Sequence, residues 1–226
     1  MLKATNHISK DNRNPIKLNK DLSLTLQQNP GLMIFYKKTV PLYVYGNYKL
    51  IDNKGIEQGN WDIKIPIPKK YPFEFPGLIE ISEKIIRIDD NHISDNGVAC
   101  TELDIISLYV AQKGITITDF INKYVLRYFS WQLLKENNQT EHLQSWAHSK
   151  MGLKEFFYQV LETTNDKFVL ECLKMLLKRS MPGRNEDCFC GFKKKYKKCH
   201  ANQINLLDSY GMNILGKYIN IFEEHI

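Results

Sequence analysis

The stretch NWDIKIPI, residues 60–67, alternates large apolar side chains with polar or proline residues. Successive side chains of a β-strand point to opposite faces, so a period of two predicts a strand with one buried face. Residues 41–50 and 78–81 also resemble strands, and residues 52–59 contain the Asn, Gly and Gln of a hairpin turn. The simplest fold for this part of the chain is an antiparallel β-meander.

The hydrophobic period changes in the second half of the chain. Phe120, Tyr124 and Tyr128 lie four residues apart, which places them on one face of an amphipathic helix. Further helical stretches are predicted within residues 153–176, and a closing helix is predicted over residues 204–222. A meander followed by helices predicts the α+β fold class.

The composition is that of an ordinary globular chain, with 226 residues, 43% hydrophobic and 25% charged. Residues 1–20 are polar, so no secretory signal is expected, and no segment approaches the roughly 20 apolar residues of a membrane span. We therefore expect a cytoplasmic protein without a membrane partner. The formal net charge of +6 supports a nucleic-acid or acidic partner only weakly, so nucleic acid is not the first expectation.

Four candidate metal ligands lie close together near the C-terminus: Cys188, Cys190, Cys199 and His200. The chain has five cysteines, and an odd count in a reducing compartment favours metal binding or catalysis over disulfides. Thiolates and imidazole are the ligands of tetrahedral Zn²⁺. The spacing predicts a structural zinc knuckle, and the alternative is a group of buried thiols beside a basic loop.

The residues around these ligands resemble the SEC-C motif, a short zinc-binding module best known at the tail of the bacterial secretion ATPase. The resemblance rests on GRNEDCFCG at residues 183–191 and KKYKKCH at residues 194–200. Phe192 and Lys193 stand where the family usually has Ser-Gly, whereas all four ligands match. The resemblance implies a structural zinc ion. The basic loop is open to three interpretations: a solvated surface, a dock for an acidic partner, or a contact for nucleic acid.

Cys100 lies in a segment, residues 89–103, that lacks periodicity and carries Asn, Asp, Gly and His. Such a polar loop is a poor place to bury a thiol, and loops often carry the chemistry of a protein. Cys100 is therefore the candidate nucleophile, with an inert structural cysteine as the alternative. Cys172, on an apolar helical face, is expected in the core. Nearby carboxylates would raise the pKa of Cys100; they are Asp89, Asp90, Asp95 and Glu102.

This part of the chain resembles the ubiquitin-conjugating enzymes. YPFEFPGLIEI at residues 71–81 corresponds to the family's tyrosine-proline segment, and NHISDNGVAC at residues 91–100 corresponds to the loop that ends at the thioester cysteine. The resemblance spans about residues 42–131. It implies a ubiquitin-conjugating-like meander packed by helices, in which Cys100 carries a protein C-terminus as a thioester before passing it to an amine.

His92 stands at the position of the family asparagine that is thought to stabilise the oxyanion. An imidazole N–H could donate the same hydrogen bond, or the ring could act as a base. Both roles remain open, as does a purely structural hydrogen bond within the loop.

We predict a flexible N-terminus at residues 1–17 and a ubiquitin-conjugating-like domain at residues 18–150. A helical connector follows at residues 151–180, and the SEC-C zinc knuckle with its closing helix occupies residues 181–226. A conjugating-like domain with such a tail resembles the conjugating components of anti-phage operons, including those of the CBASS type.

That resemblance implies an acyl donor, either a cyclic-oligonucleotide synthase (CD-NTase), which is our first expectation, or a ubiquitin-like protein. No G-x-G-x-x-G motif is present, so a separate activating enzyme or a pre-activated substrate is expected. Two other functions remain open. One is a protein-binding module with an inert Cys100, and the other is nucleic-acid binding through the basic knuckle.

Overall fold

The computed structural model describes residues 14–137, 146–147 and 149–223. Most of the predicted flexible N-terminus, residues 1–13, therefore lies outside the described residues. Helix α1 (Pro15–Gln28) begins directly after Asn14, whose side chain accepts hydrogen bonds from the N–H groups of Ile16 and Lys17 at 3.1 and 3.2 Å. This is the usual side-chain cap of a helix start, with proline at the first helical position. The sequence analysis did not predict this helix.

The described residues form two compact units. The first comprises the described residues within 1–102 and 110–143, and the second comprises those within 103–109 and 144–226. The predicted connector, residues 151–180, and the predicted knuckle segment therefore belong to the same unit. No helix within the described ranges is both long and apolar enough to traverse a bilayer.

A five-stranded antiparallel sheet dominates the first unit, with its strands in sequence order. The strands are β1 (Leu32–Lys37), β2 (Val40–Ile51), β3 (Glu57–Pro66), β4 (Leu78–Glu80) and β5 (Val98–Ala99). Trp61, Ile63 and Ile65 are buried, whereas Asp62 between them is exposed, as the period of two predicts. The predicted antiparallel meander and the α+β class are confirmed, and β1 and β5 are strands that the sequence analysis missed.

One continuous helical segment covers a face of this sheet. It consists of α3 (Ile117–Phe120), a π-helical turn (Ile121–Val125) and α4 (Leu126–Glu136). Phe129 stacks on Trp61 of β3 with ring centroids 4.2 Å apart, which joins helix and sheet in one core. The helical face predicted from Phe120, Tyr124 and Tyr128 is confirmed, because all three side chains are buried.

A buried carboxylate, Asp21 of α1, connects three parts of the first unit. It accepts hydrogen bonds from the Tyr71 hydroxyl at 2.9 Å, the Ile117 N–H at 2.7 Å and the Thr118 N–H at 3.1 Å. The first N–H groups of a helix have no partner within the helix, so Asp21 supplies acceptors at the start of α3. Burial, together with the charge of Asp21, holds the pKa of Tyr71 well above its ordinary value. Asp21 therefore fixes where α3 begins relative to α1.

The second unit is helical around the candidate metal ligands. Its helices are α5 (Ser149–Leu161), α6 (Asp166–Leu177), α7 (Ala201–Tyr210), α8 (Met212–Leu215) and α9 (Asn220–Glu223), and α2 (Asp104–Lys113) begins in this unit and ends in the first. Asn165 caps α6 by accepting from the Phe168 N–H at 3.2 Å. The closing helix predicted over residues 204–222 is interrupted at Gly211, whose φ of 87° is incompatible with a continuing right-handed helix. Cys172 is fully buried, as predicted.

Replacement of Asp21 with alanine should lower the free energy of unfolding by about 2–4 kcal/mol, because three buried donors lose their acceptor. Urea unfolding monitored by tryptophan fluorescence measures the change. Tyr71→Phe is the matched control, since it removes one of the three hydrogen bonds and should cost about 1 kcal/mol. An Asp21→Ala variant no less stable than Tyr71→Phe would contradict this role of Asp21.

Candidate catalytic loop and metal centre

Cys100 follows directly after β5, at a point where the chain folds back on itself. Its backbone N–H donates to the His92 carbonyl oxygen at 2.7 Å, and Ile93 forms a β-bridge with Ala99. Residues 92 and 100 of the predicted loop are thus adjacent backbone neighbours. The Cys100 residue itself is exposed, as expected for a thiol that must meet a reaction partner.

Gly97 allows the tight turn that leads into Cys100. Its φ is +80°, and a Cβ atom at this position would lie 2.4 Å from the carbonyl oxygen of Glu80. The Gly97 carbonyl in turn accepts the Glu80 N–H at 2.9 Å, while the Glu80 carboxylate forms a buried ion pair with Arg87 at 2.6 Å. A residue with a side chain would therefore clash with β4 as well as strain the backbone. This explains the glycine three residues before the cysteine.

Helix α4 holds the arm of the loop that precedes Cys100. The Asn91 carbonyl oxygen accepts hydrogen bonds from Gln132 Nε2 at 2.6 Å and from the Tyr128 hydroxyl at 3.1 Å. Lys135 Nζ reaches the Asp90 carbonyl at 2.6 Å and Asn91 Oδ1 at 2.7 Å. Gln132 is buried, so its amide is restrained by the surrounding residues as well as by this hydrogen bond.

The same helix holds the arm that follows Cys100. Arg127 Nη2 donates to the Thr101 carbonyl oxygen and to the Glu102 carboxylate, each at 2.8 Å. The Glu102 side chain is only 5% exposed. Both flanks of the exposed cysteine are therefore tied to one helix. The sequence analysis missed Arg127, Gln132 and Lys135, because they lie some 25 to 45 positions away along the chain and carry no local motif.

The environment of Cys100 disfavours its thiolate. Burial of the sulfur raises the pKa of the Cys100 thiol above its ordinary value, and the Glu102 carboxylate adds to the rise, whereas a backbone hydrogen bond with Glu102 opposes it. Cys100 as a whole residue is nevertheless exposed, so this desolvation of its thiol is partial. Of the four carboxylates that were expected to raise the pKa of Cys100, Glu102 is the one that does so in the structure.

His92 ends the short 3₁₀ turn Asp89–Asn91 in a left-handed conformation, with φ 52° and ψ 42°. Its ring packs edge-on against Trp131, with the centroids 5.1 Å apart. The conformation costs a non-glycine residue about 1–2 kcal/mol, and asparagine is among the few that adopt it readily. His92 and Cys100 are therefore neighbours through a backbone hydrogen bond, and the imidazole ring of His92 contacts Trp131 of α4.

The four predicted metal ligands converge in the second unit. One ligand atom from each of Cys188, Cys190, Cys199 and His200 lies within 4.8 Å of all the others. His200 Nδ1 is 3.3 Å from the Cys188 sulfur and 3.2 Å from the Cys199 sulfur, and the Cys190 and Cys199 sulfurs are 3.4 Å apart. These distances approach the edges of a tetrahedron, about 3.8 Å between sulfurs bound at about 2.3 Å. Three thiols and one imidazole therefore fit a tetrahedral metal ion.

A small hairpin and a helix start bring the ligands together. Asp187 and Lys195 form a β-bridge, and the Cys188 N–H donates to the Lys194 carbonyl at 2.8 Å. The chain then makes a 3₁₀ turn at Tyr196–Lys198 and enters α7 directly after His200. Two ligands thus come from the hairpin and two from the approach to a helix.

Burial and the neighbouring thiols change the pKa values of the ligand group in different directions. Burial raises the pKa of Cys199 to about 12, and hydrogen bonds with Cys190 and Cys188, followed by the charges of these two thiols, add to the rise. Burial also raises the pKa of Cys190, but hydrogen bonds with the Phe192 backbone and the other thiols outweigh it and lower the value. Burial lowers the pKa of His200, which favours the neutral imidazole that binds metals.

No protein-family model matches the chain, and a search of the curated proteins finds no match. The candidate functional residues therefore rest on their motifs and on the geometry of the loop and the ligand group.

Alkylation of Cys100 by iodoacetamide should show a midpoint above the ordinary thiol pKa of about 8.5, since only the thiolate reacts. Glu102→Gln removes a negative charge beside the sulfur, so the midpoint should fall and the rate at neutral pH should rise. Rates measured by mass spectrometry across the alkaline range test this, with Cys100→Ser defining the background from the other cysteines. A midpoint that stays the same or rises in Glu102→Gln would contradict the electrostatic role of that carboxylate.

The purified chain should contain one equivalent of a divalent metal, measured by elemental analysis. Cys188→Ser should lose most of this metal and unfold at a lower temperature, because metal binding contributes directly to folding. Cys172→Ala provides the control, since it removes a buried thiol that is not among the four ligands. Equal metal loss in both variants would contradict the assigned ligand set.

Proposed function

We propose that this chain is a ubiquitin-conjugating-like acyl transferase that carries a protein C-terminus as a thioester on Cys100 and passes it to an amine. One observation carries the proposal: an exposed cysteine residue lies between two loop arms that are both hydrogen-bonded to helix α4. A thioester carrier must present its sulfur to two large partners in turn, which requires access. It must also keep that sulfur in a fixed position, which the anchored arms provide.

The proposed reaction has two steps. The Cys100 sulfur bonds to the carbonyl carbon of an activated protein C-terminus, while the activating group leaves and the thiol proton is released. An amine then attacks the same carbon, the C–S bond breaks, and the thiol is restored as an amide forms. The raised pKa of Cys100 means that the first step needs a proton acceptor at neutral pH.

His92 is the proposed assisting residue, in one of two roles. Its N–H could donate to the oxyanion that forms at the thioester carbonyl, or its neutral nitrogen could accept a proton from the thiol or the amine. Its backbone contact with Cys100 supports either role, because it keeps the two residues together.

We also propose zinc as the metal of the Cys188, Cys190, Cys199 and His200 group, since three thiolates and an imidazole are a typical structural zinc set. The ion would hold the hairpin and the start of α7 together, in a segment too short to form a core of its own. With no open ligand position, this centre would serve stability and not the reaction at Cys100.

The resemblance to conjugating components of CBASS-type anti-phage operons suggests a CD-NTase as the acyl donor, with a ubiquitin-like protein as the other candidate. Activation is assigned to a separate enzyme, because the chain lacks a glycine-rich nucleotide motif. A protein-binding module is the second candidate function. The raised pKa of Cys100 favours it, because a neutral thiol is a poor nucleophile.

Co-expression of the Cys100→Ser variant with its genomic neighbours should yield a covalent adduct, because an oxyester hydrolyses more slowly than a thioester. Intact-mass spectrometry should show the chain plus one neighbour minus one water, mapped to position 100. If the wild-type chain forms no thiol-sensitive adduct with all neighbours present, the binding module is the correct function.

His92 variants that retain Cys100 separate its two roles when transfer of the carried group from the thioester to an added amine is measured by intact-mass spectrometry. His92→Asn keeps a hydrogen-bond donor and suits the left-handed backbone but cannot act as a base, whereas His92→Ala removes both abilities. Transfer retained in His92→Asn and lost in His92→Ala identifies an oxyanion donor. Equal loss in both variants identifies a base.

A further inference from the structure

The metal-binding segment carries several basic side chains that form no ion pair with the two carboxylates of the same segment. In the described part of the chain, the carboxylate of Asp187 pairs with Lys195 at 2.8 Å, and that of Glu186 accepts the Gly183 N–H at 2.7 Å. The remaining basic side chains are exposed and have no carboxylate within ion-pair distance among the described residues. We call these five residues the basic surface: Arg184, Lys193, Lys194, Lys197 and Lys198.

An exposed aromatic residue, Phe192, directly precedes Lys193 and Lys194 of the basic surface in the sequence. Phe192 is 76% exposed, at the tip of the hairpin between Gly191 and Lys193, both of which have positive φ. Its near neighbour Phe189 behaves differently, since it stacks on Phe168 with centroids 5.4 Å apart. An exposed phenyl ring gains nothing from packing, so Phe192 contributes little to the folded unit itself. Its flat face is available to a ligand.

We propose that the basic surface and Phe192 form a binding site for single-stranded nucleic acid. Cations of this kind neutralise backbone phosphates, and an aromatic ring beside them stacks on an unpaired base. An acidic peptide would use the charges but not the ring, and a duplex would hide the base faces that the ring needs. This site is separate from the proposed reaction at Cys100, and it gives the basic loop a role beyond a solvated surface.

Fluorescence anisotropy with the full metal-loaded chain and labelled oligothymidine or oligouridine of about 20 nucleotides tests the site. If all five cations contact phosphates, log K should fall with log salt with a slope of about −3.5, from about −0.7 per contact. Lys193→Gln with Lys194→Gln should make the slope shallower by about 1.4. Lys69→Gln with Lys70→Gln is the matched control, because it removes two adjacent exposed lysines elsewhere and should change nothing.

Phe192→Ala tests the stacking contact independently of charge. Affinity should fall about 5-fold or more at every salt concentration with the slope unchanged, since stacking releases no counterions. All variants are compared at equal metal content, so that loss of the knuckle cannot imitate loss of the site. The proposal fails if neither oligonucleotide binds, or if the knuckle and control lysine pairs behave alike. It also fails if a duplex or a polyglutamate peptide of equal charge binds as tightly as the single strand.

Discussion

The Asp21 carboxylate is the constraint on which the candidate catalytic loop ultimately depends. It is buried on α1, and its three donors belong to the Tyr71 segment and to the first turn of α3. Because α3, the π-helical turn and α4 form one continuous helical segment, fixing its beginning also fixes the register of its far end. The α4 part of this segment supplies Arg127, Gln132 and Lys135, whose side chains bind the loop. A polar group in the core thus determines where an exposed cysteine lies.

The loop around Cys100 is held by many contacts, but its thiol is not activated. Gly97, Asn91 and Glu102 are each held by contacts that leave little freedom, yet the same Glu102 disfavours the Cys100 thiolate. The Glu102 carboxylate, which binds Arg127 and so helps to hold the loop, also raises the pKa of the Cys100 thiol. A resting thiol of this kind would be protected from unselective reagents, and its chemistry would depend on a partner that brings an activated carbonyl or a base.

The sequence predicted those features of the structure that are formed by residues close together in the chain. The alternation through Trp61 and Ile63 identified a strand, and the spacing from Cys188 to His200 identified the ligand group, because ligands so close along the chain need only a short hairpin to meet. The two-residue strand β5 is too short to show a period. The buried face of α1 combines Leu18 and Leu22 with the polar Asp21 and Thr25, so it does not read as an apolar stripe. The bonds from α4 to the loop join distant positions, so no motif could indicate them. The roles of Cys100 and His92 remain predictions, because they concern molecules that the chain alone does not contain.

The division of the chain into two units has a consequence for its covalent connectivity. The second unit begins at Leu103, immediately after Glu102, then gives way to the first unit within α2 and resumes only after residue 143. Leu103 and Ile105 are buried in the core of the second unit, three and five positions after the candidate nucleophile. A single cut therefore cannot separate the two units. Removal of the C-terminal helices would expose Leu103 and Ile105, which directly follow the cysteine loop. A truncated chain would therefore be disturbed next to Cys100 as well as at its C-terminus.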